Sequence, residues 1–276
     1  MSECSHNCET CASKGKCGTD NKVAEKMNLI KNKIFALSGK GGVGKSTVSA
    51  LLAVALARDG FKVGLLDVDF HGPSQPTLFN VQSSRLGATE NEELEPLEIA
   101  GVKLVSIGLL LEDPDQAVIW RGPAKSGVLK QVLEETAWGE LDYLICDFPP
   151  GTGDEILSGC QLIPGDKKAV IVTTPQELSL ADCRKCIDFC RQAELPVAGV
   201  VENMSYFICD GCSKKHFIFN NEGGKKMAEQ YNLPLLATLP LDPAFLAECE
   251  QKNIAAAFKN SAVFQDEFVS FLEKLG

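Results

Sequence analysis

The clearest chemistry in the sequence belongs to a glycine-rich stretch, Ser38-Gly39-Lys40-Gly41-Gly42-Val43-Gly44-Lys45-Ser46-Thr47, called here the phosphate loop. It matches the pattern G-x-x-x-x-G-K-[ST], which binds nucleotide phosphates. Glycines let backbone N–H groups converge on an anion, and the helix that follows points its positive dipole end at the same anion. We expect Lys45 to contact the β- and γ-phosphates and Ser46 to hold Mg²⁺.

Carboxylates follow two apolar runs that are predicted to be strands. Asp67 and Asp69 come after Phe61–Leu66, and Asp147 comes after Leu141–Cys146. Ligands of α/β sheets bind at the carboxyl ends of the strands, so these carboxylates are predicted near the phosphates. Two carboxylates there could orient a water or contact Mg²⁺ through water. A solvated turn is the alternative interpretation of the first pair.

A Cys-x2-Cys pair, Cys209 and Cys212, lies in a loop where the alternation of strand and helix is interrupted. A hairpin turn of this kind points two sulfurs in the same direction. Tetrahedral metal sites and iron–sulfur cubanes need four ligands, so another segment or a second copy of the chain would have to supply two more. An inert turn or a reversible dithiol is the alternative. His216 could be a further ligand, but we expect it to be a surface residue.

The N-terminal segment, residues 1–27, contains Cys4, Cys8, Cys11 and Cys17 and almost no large apolar residues. It cannot fold by burying a core of its own, but four thiols could fold it around a metal. Zinc and an iron–sulfur cluster both fit this ligand set. The alternative is a disordered tail with incidental cysteines.

The elements that must position these residues alternate between strand and helix, which predicts an α/β fold with a mostly parallel sheet flanked by helices. Two units are expected: a flexible, Cys-rich extension at 1–27 and a phosphate-loop domain at 28–276 with the Cys-x2-Cys loop at 206–217. We predict that the polar, acidic residues 83–100 form a surface excursion. We also predict a strand at Val197–Val201 and two C-terminal helices near 243–252 and 262–275. Cys183, Cys186 and Cys190 share one face of a predicted helix and are interpreted mainly as core residues.

Composition excludes several classes of protein. The 276 residues are 45% hydrophobic and carry a net charge of −10, which is not the basic footprint of a nucleic-acid binder. The sequence has no apolar run near 18 residues and no signal-peptide core. We therefore predict a cytoplasmic protein without membrane or nucleic-acid partners, in which twelve cysteines indicate metal or redox chemistry.

Taken together, the motifs resemble those of Mrp/ApbC-type ATPases. This is the iron–sulfur cluster carrier branch of the deviant phosphate-loop group, which also includes the nitrogenase iron protein and MinD/ParA proteins. The resemblance covers about residues 30–276 and rests on six motifs: Gly-Lys-Gly-Gly-Val-Gly-Lys-Ser-Thr (39–47), Asp-Val-Asp-Phe-His-Gly-Pro-Ser (67–74), Asp-Phe-Pro-Pro-Gly-Thr-Gly-Asp (147–154), Thr-Thr-Pro-Gln-Glu (173–177), Asn-Met-Ser (203–205) and Cys-Asp-Gly-Cys (209–212).

The resemblance implies roles for individual residues. Lys40 would cross a dimer interface to the partner's nucleotide, and Cys209 with Cys212 would hold a 4Fe–4S cluster jointly with the same pair of a second subunit. Asp67 or Asp69 would activate water, and Asp147 would be the Mg²⁺-linked carboxylate. Asn203 resembles the adenine-contacting residue, and Pro240, at the ligand edge of the sheet, is placed with it in the nucleotide site.

The extension resembles that of the eukaryotic-type branch, whose pattern is Cys-x13-Cys-x2-Cys-x5-Cys. Cys8, Cys11 and Cys17 fit the pattern, but only three residues separate Cys4 from Cys8.

From these residues we expect a homodimeric ATPase that binds ATP, Mg²⁺ and a 4Fe–4S cluster and delivers the cluster to apoproteins. One alternative is an electron-transfer ATPase that keeps its cluster. The other is a spatial-organisation ATPase of the MinD/ParA kind, which would use a basic amphipathic C-terminal helix, whereas residues 264–274 are amphipathic but acidic.

Overall fold

The computed structural model of the chain describes residues 17–111 and 122–276. The predicted ligands Cys4, Cys8 and Cys11 lie outside these residues, as do Trp120 and Arg121. Cys17 is the first residue of a helix. The metal-binding role predicted for residues 1–27 therefore stays a prediction.

Strands and helices alternate along most of the described chain. The strands are β1 (Ile30–Leu37), β2 (Val63–Asp67), β3 (Gly87–Ala88), β4 (Leu94–Glu95), β5 (Leu97–Ile99), β6 (Val102–Ser106), β7 (Leu141–Asp147), β8 (Lys167–Thr173), β9 (Val197–Ile208), β10 (Lys215–His216) and β11 (Leu235–Pro240). The helices are α1 (Cys17–Met27), α2 (Lys45–Arg58), α3 (Gln75–Leu78), α4 (Gly122–Glu135), α5 (Asp154–Leu162), α6 (Glu177–Gln192), α7 (Gly223–Gln230), α8 (Pro243–Gln251), α9 (Ile254–Asn260) and α10 (Ala262–Leu275).

The main sheet has the order β11-β9-β8-β1-β7-β2-β6-β5. Every pairing in this order is parallel except that of the edge strand β5 with β6, and β10 extends β9 in the antiparallel direction. The carboxyl ends of β1, β2, β7 and β9 therefore meet at one edge of the sheet. The predicted α/β architecture is confirmed.

Two hydrophobic clusters cover the two faces of the sheet. Neighbouring residues of a strand belong to different clusters, as Ile34 and Phe35 do in β1 and Leu65 and Leu66 do in β2. Helices α2, α8, α9 and α10 contribute to one cluster, and α1, α4, α5, α6 and α7 contribute to the other. The sheet is buried on both faces, as the continuous apolar runs in its strands predict.

Two expectations about the elements were wrong in part. The extension is not flexible throughout, because α1 buries Val23 and Met27 against the second cluster. The C-terminal region has a third helix, α9, which Asn253 caps: its Oδ1 accepts a hydrogen bond from the Ala256 N–H at 2.9 Å. Residues 83–100 lie mainly at the surface, as predicted, and they include the β3–β4 hairpin and β5, which joins the main sheet.

Strand β9 also differs from its prediction, because it continues seven residues past Val201 to Ile208. The polar residues Glu202, Asn203 and Ser205 had suggested its end, yet all three are buried. Burial is tolerated because their polar atoms are bonded: Ser205 donates to Glu202, which also accepts from the Gly224 N–H. Met204 has φ 54°, and the pairing with β11 shifts register around it, so the strand bends while it continues.

None of the helices in the described ranges has the length and apolar character of a membrane span.

Candidate functional site

The phosphate loop connects the carboxyl end of β1 to the first turn of α2. Gly44 has φ 83° and directly precedes the helix, and Gly42 has φ 78°. These values lie in the left-handed region that favours glycine. A Cβ at Gly44 would overlap Asn203, and one at Gly39 would overlap the backbone of Asp182. The conformation of the loop therefore depends on the glycines of the motif.

A cavity of about 540 Å³ lies above the loop. This volume is in the range of small-molecule and cofactor sites. Its lining includes nearly all of the predicted loop together with residues that follow β2 and β7: Ser38, Lys40, Gly41, Gly42, Val43, Gly44, Lys45, Ser46, Thr47, Asp69, Gly72, Pro73, Ser74, Thr77, Leu78 and Pro150. The Gly151 N–H donates to the Ser38 carbonyl at 2.8 Å, which ties the loop after β7 to the phosphate loop.

Lys45 and Asp147 form a buried ion pair at the base of this cavity. Oδ1 of Asp147 also accepts a hydrogen bond from Ser49 Oγ at 3.1 Å, and its Oδ2 accepts one from Gln75 Nε2 at 2.8 Å. Lys45 Nζ lies 3.3 Å from Ser46 Oγ. The predicted phosphate lysine, the Mg²⁺ serine and the Mg²⁺-linked carboxylate are thus brought together.

Asp67 and Asp69, which sequence reasoning could not distinguish, occupy different environments. Asp67 is fully buried and accepts hydrogen bonds from Ser106 Oγ at 2.9 Å and from the Gln75 N–H at 3.1 Å. Burial, with the charge of Asp147 beside it, raises the pKa of Asp67 to about 7. Asp69 is half-buried and lines the cavity. Only Asp69 of this pair faces the space in which a ligand would lie.

Gln75, the first residue of α3, is a site residue that the sequence analysis missed. It is fully buried and joins three parts of the site: Nε2 donates to Asp147 and to the Ser46 carbonyl at 3.0 Å, and its backbone N–H donates to Asp67. Its Oε1 is buried with no hydrogen-bond partner among the described residues. Its position one residue after the Asp67–Ser74 motif was the available signal, but only the fold shows which groups it contacts.

Lys40 lines the cavity and is half-buried. Its ammonium group has no ion-pair or hydrogen-bond partner among the described residues, although its carbonyl accepts from Ser38 Oγ at 3.0 Å. The structure therefore places Lys40 at the site without giving its charge a partner there.

Two further residues predicted for the nucleotide site lie in neighbouring strands, Asn203 within β9 and Pro240 at the end of β11. Asn203 in β9 donates from Nδ2 to the Val43 carbonyl at 2.9 Å, so it supports the phosphate loop directly. Pro240 is buried at the end of β11, opposite Tyr206 in the strand register. Neither residue is part of the lining of the phosphate cavity. The adenine-contacting role of Asn203 and the place of Pro240 in the nucleotide site stay predictions.

Cys209 and Cys212 lie in the hairpin turn between β9 and β10, called here the cysteine knuckle (residues 209–216). The Cys209 N–H donates to the Lys214 carbonyl at 3.0 Å, and the Ser213 N–H donates to the Cys209 carbonyl at 2.7 Å. Hydrogen bonds from the backbone of Gly211 and Cys212 lower the pKa of the Cys209 thiol. Cys212 is exposed and Cys209 is half-buried, so the pair lies at the surface.

His216 lies next to this pair: one ligand atom from each of Cys209, Cys212 and His216 falls within 4.8 Å of the others. It is exposed, as expected, and it also lies close enough to the thiol pair for the alternative, a further ligand. The spacing Cys-x2-Cys-x3-His was the signal available in the sequence. The hairpin produces this proximity, because it brings β10 back beside β9.

The remaining described cysteines lie away from the knuckle. Cys183, Cys186 and Cys190 are fully buried in the second hydrophobic cluster, which confirms their interpretation as core residues. Cys146 is also buried, and burial raises the pKa of its thiol. At Cys146 this environment favours the neutral thiol as a packing group.

Comparison with known proteins finds relatives that are named for nucleotide binding and for iron–sulfur cluster handling. A profile of the family described as NUBPL iron-transfer P-loop NTPase matches residues 29–275. The iron–sulfur cluster carrier protein of Saccharolobus solfataricus is 50% identical over 257 residues, 93% of this chain and 86% of that protein. The cytosolic Fe–S cluster assembly factor NUBP2 of Gallus gallus is 43% identical over 249 residues, 88% and 92% of the two chains.

Solved structures extend the likeness to the fold. A nucleotide-binding protein from Archaeoglobus fulgidus in complex with ADP, in which cobalt was found, has a TM-score of 0.75 and 38% identity, covering 87% of this chain and 96% of that one. The septum site-determining protein MinD of Pyrococcus horikoshii has a TM-score of 0.61 and 22% identity, covering 89% and 96%, which shows a shared fold. The chain belongs to the NUBPL-type family of iron-transfer P-loop NTPases, which is related in fold to MinD.

Proposed function

We propose that this protein binds and hydrolyses ATP, holds a 4Fe–4S cluster between two copies of the chain, and transfers that cluster to apoproteins. The observation that carries the proposal is the course of β9. One residue of this strand, Asn203, hydrogen-bonds the phosphate loop, and the strand ends at Ile208, directly before Cys209. A single element thus connects a nucleotide site to a thiol pair. The names of the relatives, iron–sulfur cluster carrier and assembly factor, support the same role.

The phosphate cavity fits ATP and Mg²⁺ by the chemistry of its donors. The α2 N-terminus and the glycine-rich backbone suit phosphates, and the Ser46 hydroxyl with the Asp147 carboxylate suits a hard, oxygen-binding cation. Such a cation would neutralise charge that develops on the phosphates. Lys45 would exchange its carboxylate partner for phosphate oxygens. Asp69 is the better candidate for orienting water, because it lines the cavity whereas Asp67 is buried behind it.

A homodimer would complete both sites. The Lys40 ammonium would reach the partner's nucleotide, and the two sulfurs of one knuckle would meet those of the other to give the four ligands of a cubane. Phe217 and Ile218, which follow the knuckle, are 47% and 55% exposed. Two large apolar side chains exposed beside the thiols suit a surface that is covered by another protein.

The N-terminal cysteines are assigned to a second metal site in this proposal. Cys4, Cys8, Cys11 and Cys17 would hold zinc or an iron–sulfur cluster, as in the eukaryotic-type extension that the spacing resembles. The boundary of this unit at residue 27, the cytoplasmic location and the absence of membrane and nucleic-acid partners belong to the same proposal.

Anaerobic reconstitution with iron and sulfide tests the cluster assignment. We expect Cys209→Ala/Cys212→Ala to lose the iron bound between subunits, about two Fe per chain for one shared 4Fe–4S cluster. The full chain with Cys4, Cys8, Cys11 and Cys17 changed to Ser should keep this iron. Cys160→Ala, which removes a half-buried thiol elsewhere, is the matched control. Full iron content in the Cys209→Ala/Cys212→Ala variant would rule out the shared site.

Transfer of the cluster to an apo-ferredoxin tests the role of ATP and separates a carrier from an electron-transfer protein. A carrier should pass its cluster to the acceptor, whereas an electron-transfer protein should retain it. We expect Lys40→Ala to slow ATP hydrolysis and any nucleotide-dependent transfer, while Lys31→Ala, an exposed lysine paired with Asp142, should behave as wild type. Transfer by Lys40→Ala at the wild-type rate would contradict an ATP-dependent step.

The structure gives no support to the MinD/ParA-like alternative at the C-terminus. The apolar face of α10, formed by Phe264, Phe268, Phe271 and Leu275, is buried in the first hydrophobic cluster. This face stabilises the fold and is therefore not free to bind a membrane surface.

A further inference from the structure

The cysteine knuckle contains three metal-ligating side chains from a single chain. One ligand atom from each of Cys209, Cys212 and His216 lies within 4.8 Å of the other two. Cys212 Sγ and His216 Nε2 are 3.9 Å apart. Two thiols and an imidazole are the donors that Zn²⁺ and Fe²⁺ bind readily.

The hairpin places these donors together before any metal or partner is involved. The turn is closed by the hydrogen bonds from Cys209 to Lys214 and from Ser213 to Cys209. The antiparallel register sets His216 opposite Phe207 and Lys215 opposite Ile208. Lys215 Nζ lies 4.0 Å from the centre of the Tyr206 ring, a cation–π contact that holds β10 against β9. The position of His216 therefore follows from the backbone of the same chain.

We propose that each chain binds one divalent metal ion of tetrahedral preference through Cys209 Sγ, Cys212 Sγ and His216 Nε2, with a fourth position open. Tetrahedral bonds of about 2.3 Å to sulfur and 2.0–2.1 Å to nitrogen put these two donor atoms about 3.5 Å apart. The observed 3.9 Å between Cys212 and His216 needs only a small side-chain movement to reach that value.

This site differs from the shared cluster site in ligand set and stoichiometry. It needs one chain, no nucleotide and no sulfide, and it uses a histidine that the cluster assignment leaves out. It does not rest on the proposed function. Because both sites use Cys209 and Cys212, a metal ion held by one chain and a cluster held by two would exclude each other. A free thiophilic metal ion would therefore compete with cluster loading.

Cobalt titration of the reduced protein under anaerobic conditions tests the inference. The titration uses the full chain with Cys4, Cys8, Cys11 and Cys17 changed to Ser, so that the N-terminal thiols cannot compete for cobalt. We expect one Co²⁺ per chain, a sulfur-to-cobalt charge-transfer band and the intense visible bands of tetrahedral cobalt. In the same background, His216→Ala should lower the Co²⁺ affinity at least about tenfold. His71→Ala, which removes an exposed histidine beside Lys125 and outside the knuckle, should leave it unchanged.

A second variant, His216→Cys, distinguishes loss of the imidazole ligand from loss of the hairpin structure. It should restore tight binding and strengthen the charge-transfer band, because a third thiolate replaces the imidazole. An unchanged affinity and spectrum in His216→Ala would overturn the proposal, and so would one Co²⁺ per two chains. Reconstitution with iron and sulfide is measured in parallel: failure of cluster assembly with intact cobalt binding would count against the carrier function alone.

Discussion

The phosphate loop and the cysteine knuckle lie at the same edge of the sheet but are built in opposite ways. At the loop, Gly39 packs against the backbone of Asp182, and a buried network connects the charged groups. In this network Asp147 is bonded to Lys45 and Gln75, and Gln75 is bonded to Asp67. The knuckle stands beyond the main sheet on a short antiparallel extension, with Cys212 and His216 exposed.

This difference indicates what each site requires of the chain. Nucleotide chemistry depends on fixed charges in a low-dielectric setting, which only a buried network supplies. A labile metal group must enter and leave, which requires ligands that solvent and partners can reach. We therefore expect substitutions at the loop to affect folding and ligand binding together, and substitutions at the knuckle to affect metal binding with little change in stability.

The same glycine-to-alanine change made at both sites should show the largest contrast. Gly39→Ala places a Cβ into the backbone of Asp182, which cannot move without shifting α6. We expect a loss of about 3 kcal/mol or more in the free energy of unfolding. In Gly211→Ala the new Cβ would lie 3.9 Å from Cys209 Sγ, an ordinary contact, and the change should stay within about 0.5 kcal/mol. Denaturant unfolding measures the free energy of unfolding of both variants. Equal losses in the two would contradict the difference between the loop and the knuckle.

Removal of a lysine from each region should give the next largest difference. Lys45→Ala leaves Asp147 buried without its cation, which we expect to cost about 3 kcal/mol of stability and to weaken nucleotide binding about a hundredfold. Lys215→Ala removes an exposed cation–π contact worth about 0.5–1 kcal/mol. Calorimetric titration with ADP measures the nucleotide affinity of both variants, and thermal unfolding measures their stability. Nucleotide binding by Lys45→Ala at wild-type affinity would exclude this lysine from the site.

The pH dependence of stability should reveal the contribution of the buried carboxyl group of Asp67. Because the pKa of Asp67 is raised from 3.8 to about 7 in the folded state, its protonation favours folding. This contribution is fully present below about pH 4 and is lost as the pH rises through about 7. Asp67→Asn should flatten this part of the profile of unfolding free energy against pH. Asp210→Asn, an exposed site in the knuckle, should leave the profile as it is.

The smallest expected effect concerns the strand that connects the two regions. Asn203→Ala removes the hydrogen bond to Val43 and should cost about 1–2 kcal/mol, with nucleotide affinity reduced about tenfold. Cobalt binding at the knuckle, measured without nucleotide, should not change. Asn221→Ala, an exposed position, serves as control. A large loss of cobalt affinity in Asn203→Ala would show that the two regions are less independent than their construction suggests.

The sequence predicted the parts of the protein whose causes are local. Strand β1, the loop and helix α2 follow from an apolar run, fixed glycines and an alanine-rich run, which act within about ten residues of each other. The buried face formed by Cys183, Cys186 and Cys190 followed from helical periodicity. The length of β9 was underestimated because Glu202 and Ser205 are polar, and only their bonding to each other and to Gly224 makes burial acceptable.

By itself, therefore, the sequence determined the phosphate loop, the parallel α/β architecture and the presence of two thiols in a turn. The tertiary structure decided which residues share a site. It placed Asp69 in the cavity and Asp67 behind it, brought Gln75 to Asp147, and set His216 beside Cys212. The physical reason is that these relations depend on strand order and register, which bring together residues that are distant along the chain, whereas periodicity and spacing report only on neighbours.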